Sequence, residues 1–552
     1  MEKMGSPSPE SGRGNTALHP VMANWNVPVE SYYSVALLPV LYLLIKTVFL
    51  RPTTSKLPLP PGPKGPPLIG NVGDLPPKGG LEWQHWLKHK DLYGPISSVT
   101  VFGQTIILVH DLEVALELLD KRGAKYSSRP RMVFAGEMCG YNERMPFQPY
   151  DKTFRHQRKL AGGVIGTNTA VARFHPVIDV EVRRFLLRTL ERPDGIIDHL
   201  QTESGSIMLG MLYGYTPAPV EPDALVALIN KVMAQFSKAV VVGAWLVDLI
   251  PWLRHLPDWM PGTGFKQIAR EWKKDCDEVM NIPADFVVQQ MERHAAKPSY
   301  VERLRSIDSS ADNWKDIKQS AAALYAGGAD STAAGLSFFY LAMAAYPEVQ
   351  VKAREELDRV VGSGRLPGFQ DREKLPYIEA IVKETLRWKP LAPLGPPHMS
   401  DQEDEIRGYR IPKGAMVIPS IKWFSADPAV YPDADEFRPE RFIGPNAAPS
   451  PHNYVFGFGR RICPGRLLAD STLFLTIAQT LAVFEIRKAV DEGTGRMIEP
   501  VVGTTAGLVA HPLPFQCRIV PRSNKHVELI GEVEQQHPWE EGDSSLLKGL
   551  SA

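Results

Sequence analysis

The stretch that decides the fold is Phe456–Gly465, which reads FGFGRRICPG and surrounds the thiol of Cys463. Gly459 and Gly465 carry no Cβ atom, so the backbone can turn tightly and approach this side chain closely. Pro464 is typical of the first position of a helix, which predicts that a helix begins directly after the cysteine. The pattern therefore predicts a tight loop that presents one thiol at a helix N-terminus.

The charges beside this thiol point to a metal ligand. Arg460 and Arg461 place positive charge next to Cys463, and positive charge favours the thiolate over the thiol. A thiolate at a helix N-terminus is a soft ligand, and a lone cysteine of this kind suits haem iron. The other three cysteines form no C-x-x-C pair with it or with one another, which argues against a zinc site.

Two further motifs lie upstream of the loop. Glu384 and Arg387 are three residues apart in a predicted helix, and such pairs alone are common on helix surfaces. Residues 437–442 then read FRPERF, which adds Arg441.

A third motif, AGGADST, occupies residues 326–332 inside a predicted helix over 314–345. Two glycines in a helix interior cost about 1 kcal/mol each relative to alanine, so stability does not explain them. We interpret them as room for a flat cofactor and for a ligand. Asp330 and Ser331 supply an acid and an alcohol, the groups that proton transfer requires.

Together these motifs resemble those of the cytochrome P-450 superfamily. The family pattern F-x-x-G-x-R-x-C-x-G is matched by Phe456, Gly459, Arg461, Cys463 and Gly465. The resemblance implies that a heme b is bound here, that Cys463 is the axial ligand of its iron, and that Arg461 pairs with a heme propionate.

The resemblance also implies roles for the other motifs. Glu384, Arg387 and Arg441 would form a buried network that supports the cysteine loop. Asp330 and Ser331 would relay protons during oxygen reduction. Ser331 stands where the family usually has threonine, so whether Ser331 or Thr332 is the relay stays open.

Two more residues are implied as propionate contacts. Phe154-Arg-His-Gln-Arg158 stands where the family has W-x-x-x-R, which assigns Arg158 and replaces the tryptophan by Phe154. A basic amphipathic helix is the alternative for this segment. His398 matches the family's Pro-His position.

The N-terminal part predicts a membrane attachment. Residues 1–30 are rich in Pro, Ser and Gly and predict a flexible segment. Residues 31–51 contain an apolar run that spans roughly 28 Å as a helix, enough for a single-pass transmembrane anchor. Basic residues follow this run, which predicts that the catalytic domain lies in the cytosol. The resemblance implies that the membrane is that of the endoplasmic reticulum. A signal peptide or a buried core helix is the alternative.

Four regions complete the predicted organisation. Residues 52–70 predict a proline-rich strap, with a featureless linker as the alternative. Residues 71–522 predict one mainly α domain with small β-sheets, the cytochrome P-450 fold, that begins with a hairpin at 95–110. Residues 523–552 hold more acids than bases and predict a flexible, solvated tail. The predicted helices are 111–122, 150–165, 176–192, 222–238, 264–294, 314–345, 347–361, 375–388 and 465–483.

Charge and resemblance together set the expected function. The chain has 62 basic and 62 acidic side chains, so it lacks the basic excess of a nucleic-acid binder. It is similar to fungal microsomal members of secondary metabolism, of the O-methylsterigmatocystin-oxidoreductase-like group. The resemblance implies a monooxygenase that acts on a hydrophobic small molecule and receives electrons from an NADPH-cytochrome reductase, with cytochrome b5 as a further candidate donor. An oxygen-independent haem isomerase or dehydratase on the same fold is the alternative.

The resemblance places the walls of the substrate pocket in five segments, 129–149, 225–253, 322–332, 391–396 and 503–508. The side chains expected to make these walls apolar are Val133, Phe134, Met138, Phe147, Leu324, Leu394 and Leu508.

Overall fold

The structure, a computed structural model, describes residues 57–77, 79–219, 223–241 and 243–550. The segment predicted to be flexible (1–30), the predicted anchor (31–51) and the start of the predicted strap lie outside these residues. None of the helices in the described part is long and apolar enough to cross a membrane. From Leu57 onward the chain forms one compact unit.

Helices dominate this unit, as the sequence predicts. They are α1 (Glu82–Tyr93), α2 (Leu112–Leu116), α3 (Lys152–Ile165), α4 (Asn168–Ala172), α5 (His175–Glu191), α6 (Ile196–Tyr213), α7 (Ala224–Ala239), α8 (Leu246–Leu249), α9 (Gly264–Glu292), α10 (Tyr300–Ile307), α11 (Ala311–Ala345), α12 (Pro347–Val360), α13 (Pro376–Trp388), α14 (Ile421–Ala426), α15 (Arg466–Val483) and α16 (Asn524–Gln536). All predicted helices are present, but after α2 the chain continues as a π-helical turn, Glu117–Lys121.

The strands form small sheets. They are β1 (Ile96–Val101), β2 (Gln104–Val109), β3 (His398–Met399), β4 (Asp404–Ile406), β5 (Tyr409–Ile411), β6 (Met416–Pro419), β7 (Phe484–Lys488) and β8 (Cys517–Pro521). The largest sheet has the order β1-β2-β6-β3, and β4-β5 and β7-β8 are separate pairs. β1 and β2 are the predicted hairpin, with Ile96 opposite Val109. A mainly helical fold with small sheets is thus confirmed.

Helix α11 positions the functional site. Its 35 residues give it a length of roughly 52 Å. It packs against α3, α6 and α15. The residues from Thr332 to Ala344 are all buried, and five of these positions are alanine or glycine, whose small side chains let the neighbouring helices approach closely.

Helix α6 (Ile196–Tyr213) is a helix that the sequence analysis did not predict. Most of its residues are buried, so it shows no clear division between an apolar and a polar face. Gly205 packs against Val226 of α7, where a Cβ atom would lie 3.2 Å from the valine side chain. Burial on several sides therefore hid the helical period, although α6 forms part of the cavity described below.

The described part of the strap packs against the sheet. The carbonyl of Pro61 accepts a hydrogen bond from the Ser98 amide at 2.9 Å, and the carbonyl of Pro60 accepts one from the Ser98 hydroxyl at 2.6 Å. A Cβ atom on Gly62 would lie 1.8 Å from the Ser98 carbonyl oxygen, so only glycine fits there. The residues from Leu57 on therefore belong to the folded unit rather than to a featureless linker.

The expectation of a flexible tail over 523–552 is wrong for most of that segment. Helix α16 buries Ile530 and Val533, which lie on one face because they are three residues apart. Beyond the helix, the ring of Trp539 lies 5.4 Å from the Arg184 guanidinium and 5.8 Å from that of Arg188. The count of acids concealed this apolar face, because the acids occupy the exposed side of the helix.

Candidate active site

The cysteine loop is built as its glycines predict. Gly459 has a φ of +50°, and a Cβ atom there would lie 2.4 Å from the carbonyl oxygen of Leu119. The amide of Cys463 donates to the carbonyl of Phe456 at 2.8 Å, which closes the loop. Helix α15 begins at Arg466, three residues after the cysteine. The loop therefore holds the thiol in one place at the start of a helix.

The thiol of Cys463 faces a cavity of about 330 Å³. Helices α6, α11 and α15, the cysteine loop and the segment 391–396 enclose it, and most of its surface is apolar. Phe456 and Gly465 also line it, whereas Gly459 does not. Gly459, predicted as a cofactor contact, instead packs against the turn that follows α2.

Four basic side chains line this apolar cavity, namely Arg129, Arg158, His398 and Arg461. The hydrogen bonds of their side chains go to backbone carbonyls. Arg158 donates to Ile462 at 2.8 Å, and Arg461 donates to Ser127 and Gln148, each at 2.6 Å. Nδ1 of His398 lies 2.8 Å from the carbonyl oxygen of Tyr126. In the described part of the chain, none of the four forms an ion pair with a carboxylate.

Arg129 was not singled out in the sequence. Its guanidinium donates to the carbonyls of Pro146, Pro396 and Pro397, each at 2.8 Å. It follows Ser127 and Ser128 in a segment without a distinctive motif, so its position in the cavity depends on how that segment folds. No local pattern marks it.

Burial and mutual repulsion lower the pKa of these groups. Burial, with a smaller contribution from the charge of Arg158, lowers the pKa of Arg461 to about 10. Burial likewise holds the pKa of Arg129 and that of His398 well below their ordinary values, with nearby arginines adding to the effect. Such uncompensated positive charge requires an anionic partner.

The residues present fit a heme. A flat apolar ring suits the apolar walls, two propionates suit the uncompensated basic groups, and a thiol suits iron. Phe154, which replaces the family's tryptophan, lies under Arg461, with the guanidinium 3.7 Å from the ring centroid. A cation over an aromatic face is attracted by the ring, so Phe154 helps to hold Arg461 in place.

The charges nearest the thiol differ from those expected. Burial raises the pKa of Cys463, and the amide of Gly465 and the charges of Arg158 and Arg466 oppose that rise. Arg460 instead donates to the Tyr150 hydroxyl at 2.8 Å on the surface. The expectation that Arg460 and Arg461 favour the thiolate stays a prediction. The basic groups that act on the sulfur come from α3 and α15.

The two glycines of the AGGADST motif in α11 have different surroundings. A Cβ atom on Gly327 would meet nothing within 4 Å, because this residue faces the cavity. A Cβ atom on Gly328 would lie 2.4 Å from the sulfur of Met208 in α6. Gly327 thus leaves room in the cavity, as expected, and Gly328 additionally allows the close approach of α6.

The predicted acid and alcohols are placed on two sides of α11. Ser331 and Thr332 line the cavity, and the Ser331 hydroxyl donates to the carbonyl of Gly327 at 2.5 Å. Asp330 is not part of the lining. Its Oδ2 is buried and faces Nε2 of His511 at 3.4 Å.

His511 is a site residue that sequence reasoning missed. Its amide donates to the Thr505 hydroxyl at 3.0 Å, and its carbonyl accepts from the Thr505 amide at 2.8 Å, which fixes the ring next to α11. Burial lowers the pKa of His511, but the nearby Asp330 carboxylate outweighs burial and raises it. The pair is 181 positions apart in sequence, so no local signal could have revealed it.

The three residues of the expected network, Glu384, Arg387 and Arg441, meet in the structure. Both oxygens of Glu384 accept from Arg387, at 2.6 Å and 2.8 Å. Arg441 donates to the same carboxylate at 3.1 Å. The side chains of Glu384 and Arg387 are fully buried.

Three of the five segments expected to form the pocket walls, 129–149, 322–332 and 391–396, line the cavity, whereas 225–253 and 503–508 do not. Most of the side chains expected in these walls lie elsewhere. Leu324 lines the cavity, whereas Leu394 packs on the sheet and Leu508 packs in a separate apolar cluster. That cluster also contains Val133, Phe134, Met138 and Phe147. Phe134 is fully buried because its ring stacks on Trp245 at 3.5 Å, which turns it away from the cavity.

Comparisons with known proteins agree with this geometry. A family model described as Cytochrome P450 matches residues 60–518. The chain is 48% identical over 484 residues to Cytochrome P450 monooxygenase claR of Ampulloclitocybe clavipes, which covers 87% of this chain and 89% of the relative. It is 45% identical over 499 residues to Cytochrome P450 monooxygenase CLM2 of Gibberella zeae, and the match covers 89% of this chain and 94% of the relative. It is 40% identical over 517 residues to O-methylsterigmatocystin oxidoreductase of Aspergillus flavus, and the match covers 92% of this chain and 96% of the relative.

Proposed function

The chain belongs to the cytochrome P450 family of oxidoreductases, and from this we propose that it oxidises a hydrophobic small molecule with O2 and reductase-supplied electrons. The observation that carries the proposal is the thiol of Cys463 at one side of an apolar cavity that is also lined by basic groups without carboxylate partners among the described residues. The names of the similar fungal proteins support a substrate from secondary metabolism.

The cofactor is a heme b. Cys463 would bind its iron, and Arg158, His398 and Arg461, together with Arg129, would hold its propionates. When bound, the heme supplies the redox chemistry that activates O2, and a thiolate ligand favours O–O cleavage. The glycines of the cysteine loop keep the thiol close to the cavity, and the apolar walls exclude water from the reaction.

Proton delivery is assigned to α11. Ser331 presents its hydroxyl to the cavity, and Asp330 on the adjoining face can supply the proton. His511 holds the carboxylate and acts as a positioning residue. Thr332 lines the same wall, so it can share the role of the alcohol.

The Asp330→Asn variant tests this assignment. It keeps the size of the side chain but removes the carboxylate, so product formation should fall roughly a hundredfold, as for loss of a general acid. Ser331→Ala should lower product formed per NADPH oxidised while NADPH is still consumed. The measurement is the ratio of product to NADPH in a system reconstituted with a reductase.

The exposed Asp312 on the same helix gives the matched control, because Asp312→Asn should leave this ratio unchanged. His511→Asn should lower the ratio less than Asp330→Asn, since it removes only the positioning contact. An unchanged ratio in both Asp330→Asn and Ser331→Ala would refute the relay. Turnover that needs neither NADPH nor O2 would favour the isomerase or dehydratase instead.

We assign the docking site of the redox partner to the surface beside the cysteine loop. The side chains of Lys152, Arg155 and Lys159 on α3 are exposed there, as is that of Arg460 in the loop. A local basic patch on a chain of zero net charge favours an acidic docking surface. An NADPH-cytochrome reductase, or cytochrome b5, would dock against this patch.

We assign the protein to the cytosolic face of the endoplasmic reticulum membrane. The apolar run within 31–51 would anchor the chain, and an exposed apolar surface supports the same attachment. Trp252 is 66% exposed and Trp259 is 80% exposed, next to the exposed Leu246 and Ile250. Indole rings exposed in this way favour a membrane interface.

Deleting residues 1–52 should release most of the protein from membranes while heme binding survives, because the folded unit begins at Leu57. Part of the truncated protein should stay on the membrane, because the two exposed tryptophans still bind the interface. Trp252→Ser and Trp259→Ser, added to the truncation, should remove this remaining membrane binding. The measurement is the fraction of the protein that sediments with membranes. Full-length protein found in the soluble fraction, or secreted with this run cleaved, would contradict the anchor.

A further inference from the structure

A second cavity lies outside the active site and has no part in the function proposed above. Its volume is about 200 Å³. It lies between the start of α1, the segment that follows α13, helix α14 and the loop 502–504. Two lysines, Lys389 and Lys422, line it together with Trp83 and Thr504.

Lys422 is a buried cation without a counter-ion. The residue is 8% exposed, and its Nζ has one hydrogen bond, a long one of 3.5 Å to the carbonyl of Trp388. Its ammonium lies 5.8 Å from the centroid of the Trp83 ring. An ammonium has three donors, so this arrangement leaves it poorly satisfied. In the described part of the chain, it forms no ion pair with a carboxylate.

Lys389 adds a second positive charge to the same wall. Its ammonium lies 5.0 Å from the centroid of the Trp388 ring, and no ion pair to it is found among the described residues. Burial, with a smaller contribution from the charge of Lys389, lowers the pKa of Lys422 to about 8. Two ammonium groups therefore repel each other where little water can screen them.

The other charged groups nearby do not neutralise the lysines. Asp435 raises the pKa of both lysines but makes an ion pair with neither. Arg387 adds positive charge and is itself bound to Glu384. The cavity therefore carries a net positive charge from its two lysines.

Two neutral donors line the same space without an acceptor. Nε1 of Trp83 and Oγ1 of Thr504 are both buried, and neither has a hydrogen-bond partner among the residues that the structure describes. A buried donor without an acceptor costs free energy, so such groups normally have a partner. Residues from four parts of the chain thus bring two ammonium groups, an indole N–H and a hydroxyl to one small cavity.

We propose that this cavity is a binding site for an oxyanion, namely a phosphate group held by Lys389, Lys422, Trp83 and Thr504. A phosphate group carries negative charge to neutralise the lysines, and its oxygens accept hydrogen bonds from the indole and the hydroxyl. The source is either free inorganic phosphate or the head group of an anionic phospholipid, because both present the same chemistry.

Occupation of the site would affect the active site through a shared wall. Pro390 and Pro393 line the oxyanion cavity, and Leu391 and Ala392, which lie between them, line the active-site cavity. The amide of Lys422 also donates to the carbonyl of Pro393 at 2.8 Å, which joins α14 to this segment. A bound phosphate group would therefore hold the segment that separates the two cavities.

Titration of the full-length, heme-loaded protein with inorganic phosphate tests the proposal, with chloride at equal ionic strength as the reference. Calorimetry should show saturable binding to wild type. Lys422→Met should weaken that binding roughly tenfold or more, as expected for loss of a charged hydrogen-bond donor. Lys413→Met, which changes an exposed lysine elsewhere, should bind like wild type. Lys389→Met provides a second variant, should Lys422→Met fail to fold.

Vesicles distinguish the two sources. The measured quantity is the binding to vesicles of phosphatidylcholine with phosphatidic acid minus the binding to phosphatidylcholine alone, because the proposed anchor would attach the full-length protein to both. This difference is compared between wild type and both lysine variants. A loss of binding in the lysine variants only with phosphatidic acid vesicles identifies a lipid head group, and a loss with inorganic phosphate identifies the free ion. Lysine variants that bind both probes as wild type does, or wild type that binds neither, would overturn the site.

Discussion

Replacing Cys463 with alanine is expected to abolish the spectroscopic signature of a thiolate-bound heme and the oxidation of substrate. The reduced, CO-bound protein should show a strongly red-shifted Soret band in wild type and none in the variant. Loss of a residue that merely supports a metal ligand costs roughly 10- to 100-fold. Loss of the ligand itself should therefore reduce product formation by more than about a hundredfold.

Cys517 gives the matched control for this experiment. It is a free, half-buried cysteine in strand β8, away from the active-site cavity. Cys517→Ala should keep both the red-shifted band and the activity. A Cys463→Ala protein that retained the band would show that another group binds the iron.

Replacing Glu384 with alanine is expected to have the largest effect on stability. The fully buried carboxylate accepts hydrogen bonds from Arg387 and Arg441 and from the amide of Arg438 at 2.8 Å. Removing it leaves buried guanidinium groups without their anion, which costs roughly 3–5 kcal/mol. Since a folded protein is stable by only about 5–15 kcal/mol, little heme-binding protein should accumulate.

The measurements are urea unfolding and the heme absorbance per mole of purified protein. Glu499, which pairs with Lys488 on the surface at 2.7 Å and is 75% exposed, provides the control. Glu499→Ala should lower the free energy of unfolding by at most about 1 kcal/mol. If Glu384→Ala were as stable as Glu499→Ala, the buried network would not support the cysteine loop.

The features that could be predicted from the sequence are those that depend on neighbouring residues. The glycines around Cys463 are in one short segment, so the tight loop and the helix after it follow from local conformational preferences. Glu384 and Arg387 are close on any helix because they are three residues apart. The family motifs then predicted the helical fold and the heme, as the match over residues 60–518 confirms at the level of the family.

Local sequence patterns failed to predict helices that are buried on nearly all sides, or whose few apolar residues lie among many charged ones. Helix α6 shows no clear apolar stripe, since its residues contact the core on several sides. Helix α16 has an apolar face of only a few residues among many acids, so its composition suggested a flexible tail. The orientation of Phe134 also depended on a distant ring, that of Trp245.

Sequence by itself thus determined the family, the cysteine loop and the order of most helices, because these depend on short-range spacing and backbone preferences. Only the tertiary structure decided which side chains meet across the chain. It placed His511 against Asp330, four basic groups around one cavity, and Lys389 and Lys422 around another. These contacts join segments that are far apart in sequence, and their energies arise from burial and charge, which no local pattern records.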